Sequence, residues 1–171
     1  MDGNVLIKFR RFWGTPAWGR PFGGSAKGRM SETSRSTTIA QSIAALFVGF
    51  VVVVALSLGA DVIMHKSGVF PPWGYPMSDR LFLLAAVYRV VFGVGGSYVT
   101  ARLAPNRPLR HSLLGGLIGL AVSIVGAVAT WNRGPEFGPH WYPVVLAVLA
   151  IPQSWLGGIL RLQQLRTGSG S

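Results

Sequence analysis

The sequence predicts an all-α protein, a transmembrane four-helix bundle with both termini in the cytoplasm. Half of the 171 residues are hydrophobic, and only 12% are charged, which is about half the usual share in a soluble domain. The hydrophobic residues fall into four blocks of about 20 residues, the length that a helix needs to cross a bilayer. Lysine and arginine lie mostly beside one end of these blocks, and the blocks leave no room for a second folded domain.

Residues 1–37 are polar, glycine-rich and basic, and they show no helical or strand period, so we predict that they are disordered. Aromatic residues alternate there with positive charges, a pattern suited to contact with an anionic membrane surface. The string Met30-Ser-Glu-Thr-Ser34 resembles an ordinary protein start. Residues 1–29 are therefore either a translated basic extension or the product of an over-called gene start.

The first span covers residues 39–60 without a charge and reaches about 33 Å at 1.5 Å per residue. A secretory signal peptide is the alternative, but its apolar region is normally shorter, and no convincing A-x-A cleavage site follows. The remaining spans cover about 80–103, 112–131 and 141–160, and residues 163–171 are predicted to be a flexible tail. Membrane-spanning strands would need alternating segments of about 10 residues, which the sequence lacks.

The distribution of basic residues predicts the orientation. Twelve of the 16 lysines and arginines lie before the first span, between the second and third, or after the fourth, and three lie on the other side. The positive-inside rule places the twelve in the cytoplasm. Aromatic residues at the opposite span ends fit an interfacial belt: Phe70, Trp73, Tyr75, Trp131, Trp141 and Tyr142. The net charge of +11 is thereby explained as a topology signal, so no nucleic-acid partner is predicted.

Arg89 lies near the middle of the otherwise apolar second span, where a charge costs at least ~2.5 kcal/mol. Such a residue usually faces the protein interior and has a partner. Depth estimates along the helices favour a polar cluster of Arg89 with Ser123, Gln153 and Ser154. The alternative is an ion pair with Asp61, which lies at the outer boundary and reaches Arg89 only if the first span sits deeper or tilts.

Small residues predict where the helices pack, because they let helix backbones approach closely in lipid. Six glycines are the candidates: Gly93, Gly96, Gly115, Gly119, Gly157 and Gly158. One interpretation is packing within the bundle, and the other is the contact face of a homo-oligomer.

The sequence lacks the usual motifs of catalytic, nucleotide-binding and metal sites. It has no cysteine, no nucleophile elbow, no phosphate-binding loop and no paired intramembrane carboxylates. The histidines, His65, His111 and His140, lie at span ends without a metal-binding spacing. We therefore predict no catalytic, cofactor-binding or metal site, and no enzyme activity.

Several strings resemble the pattern of an uncharacterised family of small four-span bacterial inner-membrane proteins. They are Tyr88-Arg89, 101–105, Arg107-Pro108, 126–131, 141–143 and 155–158, within roughly residues 40–162. The resemblance implies a multi-pass protein of the bacterial inner membrane and carries no activity and no functional residues.

The expected function is that of a non-enzymatic integral membrane protein, an accessory or partner-binding subunit whose partner is a second copy or another membrane protein. The alternative is a small transporter or channel for an anionic or amphipathic solute, with Arg89 at its site. A cavity that reaches Arg89 distinguishes the two, because a dry and fully bonded arginine would exclude the transport interpretation.

Overall fold

The computed structural model describes the backbone of residues 24–168 and the side chains of residues 37–135 and 137–168. Four helices make up most of it: α1 (Gly24–Lys66), α2 (Asp79–Leu103), α3 (Pro108–Thr130) and α4 (Trp141–Gly168). A short 3-10 turn, Pro135–Phe137, precedes α4, and no strand occurs in the described residues. The predicted all-α class is confirmed.

All four helices contain a segment that is long and apolar enough to cross a membrane, which in α1 is Thr37–Lys66. Only 6–28% of each apolar segment is buried within the protein. Most apolar side chains therefore face outward, the reverse of a water-soluble bundle and the arrangement expected in lipid.

The chain divides into two units, Met1–Thr37 and Thr38–Ser171. In the first unit the backbone is helical from Gly24, whereas the sequence predicts disorder up to residue 37. Residues 1–23, where most of the predicted disordered segment lies, are outside the described residues. At the other end, α4 continues to Gly168, so most of the predicted flexible tail is helical, and residues 169–171 are not described.

Proline and its neighbours set the end of α2 and the beginning of α3. Ala104 is extended, with ψ of 131°, because the residue before a proline is pushed out of the helical region, and α2 ends at Leu103. Pro108 begins α3, where its missing N–H is not needed. These bounds lie within a few residues of the predicted ones, since proline is readable in the sequence.

Glycines lie where α4 meets its neighbours. A methyl group added to Gly157 would lie 2.5 Å from the carbonyl oxygen of Val94 in α2. One added to Gly158 would lie 3.1 Å from the Cβ of Ser112 in α3, and one added to Gly93 would collide with the side chain of Gln153. The absent side chains therefore let α2 and α3 pack closely against α4, and at Gly157 the contact is with the backbone of α2.

Glycines also join α1 to α2. A methyl group added to Gly49 would lie 2.8 Å from the carbonyl oxygen of Gly96, and one added to Gly96 would lie 2.8 Å from the carbonyl oxygen of Gly49. Gly115 in α3 makes an ordinary contact with Leu46 in α1. A methyl group added to Gly119, which the sequence predicts as a packing residue, would meet nothing within 4 Å, because a cavity separates α1 from α3 there.

The apolar core lies at the end of the bundle that carries the 67–78 loop. It consists of Phe70, Phe82, Ala85, Ala86 and Tyr142. The rings of Phe82 and Tyr142 lie 5.1 Å apart, and they fix the start of α4 against the start of α2. Tyr88 of α2 packs against this core.

Candidate functional site

Asp61 of α1 accepts hydrogen bonds from two consecutive residues of α2. The Arg89 Nη2 donates to Asp61 Oδ2 over 2.5 Å, and the Tyr88 hydroxyl donates to Asp61 Oδ1. The side chain of Arg89 is 28% exposed and that of Asp61 12%. The Arg89 guanidinium also lies 5.6 Å from the centre of the Tyr142 ring, a cation–π distance. The two charges are thus paired and largely shielded from solvent.

This pairing corrects the favoured expectation, because Ser123, Gln153 and Ser154 make no hydrogen bond with Arg89. The reason is the length of α1. The sequence ends the first span at Ala60, whereas α1 continues to Lys66, which places Asp61 about 7.5 Å inside the helix end. Asp61 is therefore deep enough to meet Arg89, and the ion pair given as the alternative is the one that forms.

Ser154 and Gln153 lie on different faces of α4. Ser154 is fully buried against Gly116 of α3, where its Oγ donates to the Ile151 carbonyl over 2.8 Å. Gln153 lies over Gly93 of α2, and its Oε1 is buried without a hydrogen-bond partner among the described residues. The predicted cluster is therefore divided, since Ser154 packs against α3 and Gln153 points toward α2.

A cavity of about 350 Å³ brings Arg89, Gln153 and Ser123 together without a hydrogen bond between them. Its walls are mostly apolar or small residues of all four helices: Leu46, Gly49, Val53, Gly96, Gly115, Gly119, Val122 and Ala150, among others. The volume is at the lower end of the range for small-molecule sites, which are mostly apolar with a few polar groups. The arrangement is suited to an amphipathic occupant.

A hydrogen bond ties α1 to α3 near the first turn of α3. The Ser42 hydroxyl donates to the Thr38 carbonyl over 2.9 Å, and its oxygen lies at hydrogen-bond distance, also 2.9 Å, from His111 Nε2. The sequence placed His111 at the start of the third span but gave it no partner. Together with the Asp61–Arg89 pair, this contact fastens α1 to the bundle on both sides of the cavity.

The other two histidines organise the loops that join the helices. His65 Nδ1 lies 2.6 Å from the Pro71 carbonyl oxygen, and the ring packs on Trp73. His140 Nε2 lies 2.8 Å from the Trp131 carbonyl oxygen, and the ring stacks on Trp131. Neither histidine reaches the cavity.

Sequence reasoning missed Tyr88 and Gly49 as parts of this site. Tyr88 adjoins Arg89, but side chains one residue apart on a helix do not face each other, so the sequence does not indicate that both donate to Asp61. Gly49 is one of two glycines in the first span, and a glycine is compatible with a close approach of helices, but the sequence does not distinguish it from Gly59, which makes no such contact.

Comparison of the chain with protein-family models, with curated proteins and with solved structures finds no match to any of the three.

Proposed function

We propose that this protein is a non-enzymatic, multi-pass protein of the bacterial inner membrane that binds an amphipathic solute in the cavity beside Arg89, as a small transporter or solute-binding component. The observation that carries the proposal is the cavity of about 350 Å³ that reaches Arg89. An arginine enclosed on every side would have supported a packing role alone.

The Asp61–Arg89 ion pair limits the kinds of solute that the cavity can bind. Arginine has five N–H donors, and in the described residues only one hydrogen bond from Arg89 is formed, to Asp61. Donors therefore remain for the oxygens of a solute. Because Asp61 already balances the charge, a small free anion gains little there, and an amphipath that also fills the apolar walls is favoured.

An accessory or partner-binding subunit is the second candidate. A methyl group added to Gly126 of α3 would meet nothing within 4 Å, so this face of α3 has room for a helix from another chain. Lipid would cover the same face equally well, so the open face supports a partner helix less strongly than the cavity supports a solute.

Filling the cavity is expected to weaken solute binding without unfolding the protein. Gly119→Leu adds a side chain to the cavity wall at a position with no neighbour within 4 Å. Gly126→Leu is the matched control, because it adds the same group to open space outside the cavity. Binding of a fluorescent single-chain zwitterionic amphipath to the purified protein should weaken by about tenfold or more in Gly119→Leu only. Equal binding by both variants and the wild type would reject the proposal.

The proposed orientation has both termini in the cytoplasm, supported by the twelve-to-three distribution of basic residues. A reporter fused after Ser171 should therefore show cytoplasmic activity. The same reporter inserted in the 67–78 loop should show periplasmic activity. Periplasmic activity of the Ser171 fusion would overturn the orientation.

A further inference from the structure

A chain of polar side chains joins α2 to α4 near the inner end of α2, away from Asp61. Arg102 Nη1 donates to the Tyr98 hydroxyl over 3.2 Å, and that hydroxyl donates to Gln164 Oε1 over 2.7 Å. Arg161 Nη1 donates to the same oxygen over 3.4 Å. We refer to Tyr98, Arg102, Arg161 and Gln164 as the arginine cluster.

The positive charge of the arginine cluster is not balanced by an acid within the described side chains. Arg102 and Arg161 form hydrogen bonds only to neutral oxygens there. From residue 80 to the end of the sequence the single acid is Glu136, which belongs to the turn before the other end of α4. In addition, the Arg161 Nε is buried and has no acceptor among the described residues. Each of the two guanidinium groups has five N–H donors, so most of their hydrogen-bonding capacity is unused within the described residues.

A surface groove leads to the arginine cluster from the middle of the bundle. It is lined at one end by Val94, Gly95 and Leu160, and at the other by Tyr98, Gln163, Gln164 and Thr167. The apolar end lies toward the centres of α2 and α4, and the polar end lies toward the inner end of α2. This order matches a phospholipid, whose acyl chain lies deeper in a membrane than its phosphate.

We propose that this groove binds an anionic phospholipid, with the acyl chain along Val94, Gly95 and Leu160 and the phosphate at the polar end. Tyr98 and Gln164 line that end, and Arg102 and Arg161, which are hydrogen-bonded to them, supply its positive charge. A guanidinium group can bind a phosphate through two parallel N–H···O hydrogen bonds. Basic pockets between helices on the cytoplasmic side of a membrane bind anionic headgroups. The groove is separate from the solute cavity, which has different lining residues.

The test measures thermal stabilisation of the purified full-length protein in detergent by added phosphatidylglycerol, with phosphatidylcholine as the neutral lipid. Phosphatidylglycerol should raise the unfolding temperature of the wild type more than phosphatidylcholine does. In Arg102→Gln/Arg161→Gln, the apparent affinity for phosphatidylglycerol should fall about 30-fold, given the usual contribution of a basic residue beside an anionic surface.

Two further variants distinguish lipid binding in the groove from a general effect of positive charge on lipid binding. Arg133→Gln removes a positive charge from the other end of the bundle, where Arg133 lies over the Phe137 ring, and should leave the lipid effect unchanged. Gly95→Leu fills the apolar part of the groove at a position with no neighbour within 4 Å and should reduce the effect with all charges intact. An equal loss in Arg133→Gln, no loss in Gly95→Leu, or equal stabilisation by inorganic phosphate alone would overturn the proposal.

Discussion

Arg89→Leu is expected to lower the free energy of unfolding by about 3–5 kcal/mol, the usual effect of removing one member of a buried ion pair. The variant leaves the Asp61 carboxylate, 12% exposed, with the Tyr88 hydroxyl as its only donor among the described side chains. The loss should appear as a lower unfolding temperature in detergent, or as a smaller amount of inserted protein.

The control is the double variant Asp61→Leu/Arg89→Leu, which removes both charges. Because replacing a buried ion pair with apolar residues is often neutral or stabilising, the double variant should recover most of the stability lost in Arg89→Leu. If the losses of Asp61→Leu and Arg89→Leu simply add, the ion pair is not what stabilises the protein. If Arg89→Leu folds normally and loses only amphipath binding, Arg89 contributes to solute binding and not to stability.

Gly96→Ala is expected to lower the free energy of unfolding by about 1–3 kcal/mol, the usual cost of overpacking. The added methyl group would lie 2.8 Å from the Gly49 carbonyl oxygen and would collide with the Val53 side chain. A backbone atom cannot turn aside as a side chain can, so α1 has to move away from α2. Thermal unfolding in detergent measures the effect.

The adjacent glycine provides the matched control. A methyl group added to Gly95 would meet nothing within 4 Å, and alanine is preferred to glycine within a helix by about 0.5–1 kcal/mol. Gly95→Ala should therefore be neutral or slightly stabilising. Equal changes in the two variants would show that the contact between Gly49 and Gly96 does not limit the stability of the bundle.

Hydropathy and proline predict the number of helices and most of their ends. Pro105 and Pro108 mark the connection between α2 and α3 because proline acts through its own ring and its missing donor. The end of α1 is not predictable in this way. Asp61 looks like a boundary in a hydropathy profile, but the helix continues to Lys66 and the carboxylate has a partner on another helix.

The site residues were predictable as polar groups in apolar helices, but their pairing was not. Ser154 and Gln153 are neighbours in sequence, yet about 100° of helix rotation separates them and directs one to α3 and the other to α2. The rotation of each helix is set by close contacts such as those of Gly93 and Gly116. Such contacts depend on all four helices at once, which depth estimates along a single helix do not include.

The order of Asp61 and Arg89 along the chain bears on biosynthesis. Because the ribosome makes α1 before α2, the acid emerges 28 residues ahead of the base. If α2 entered a bilayer alone, the charge of Arg89 would add its full free-energy cost to insertion. When α2 follows α1, Asp61 is already present to pair with Arg89. We therefore expect α1 to lower the free-energy cost of inserting α2.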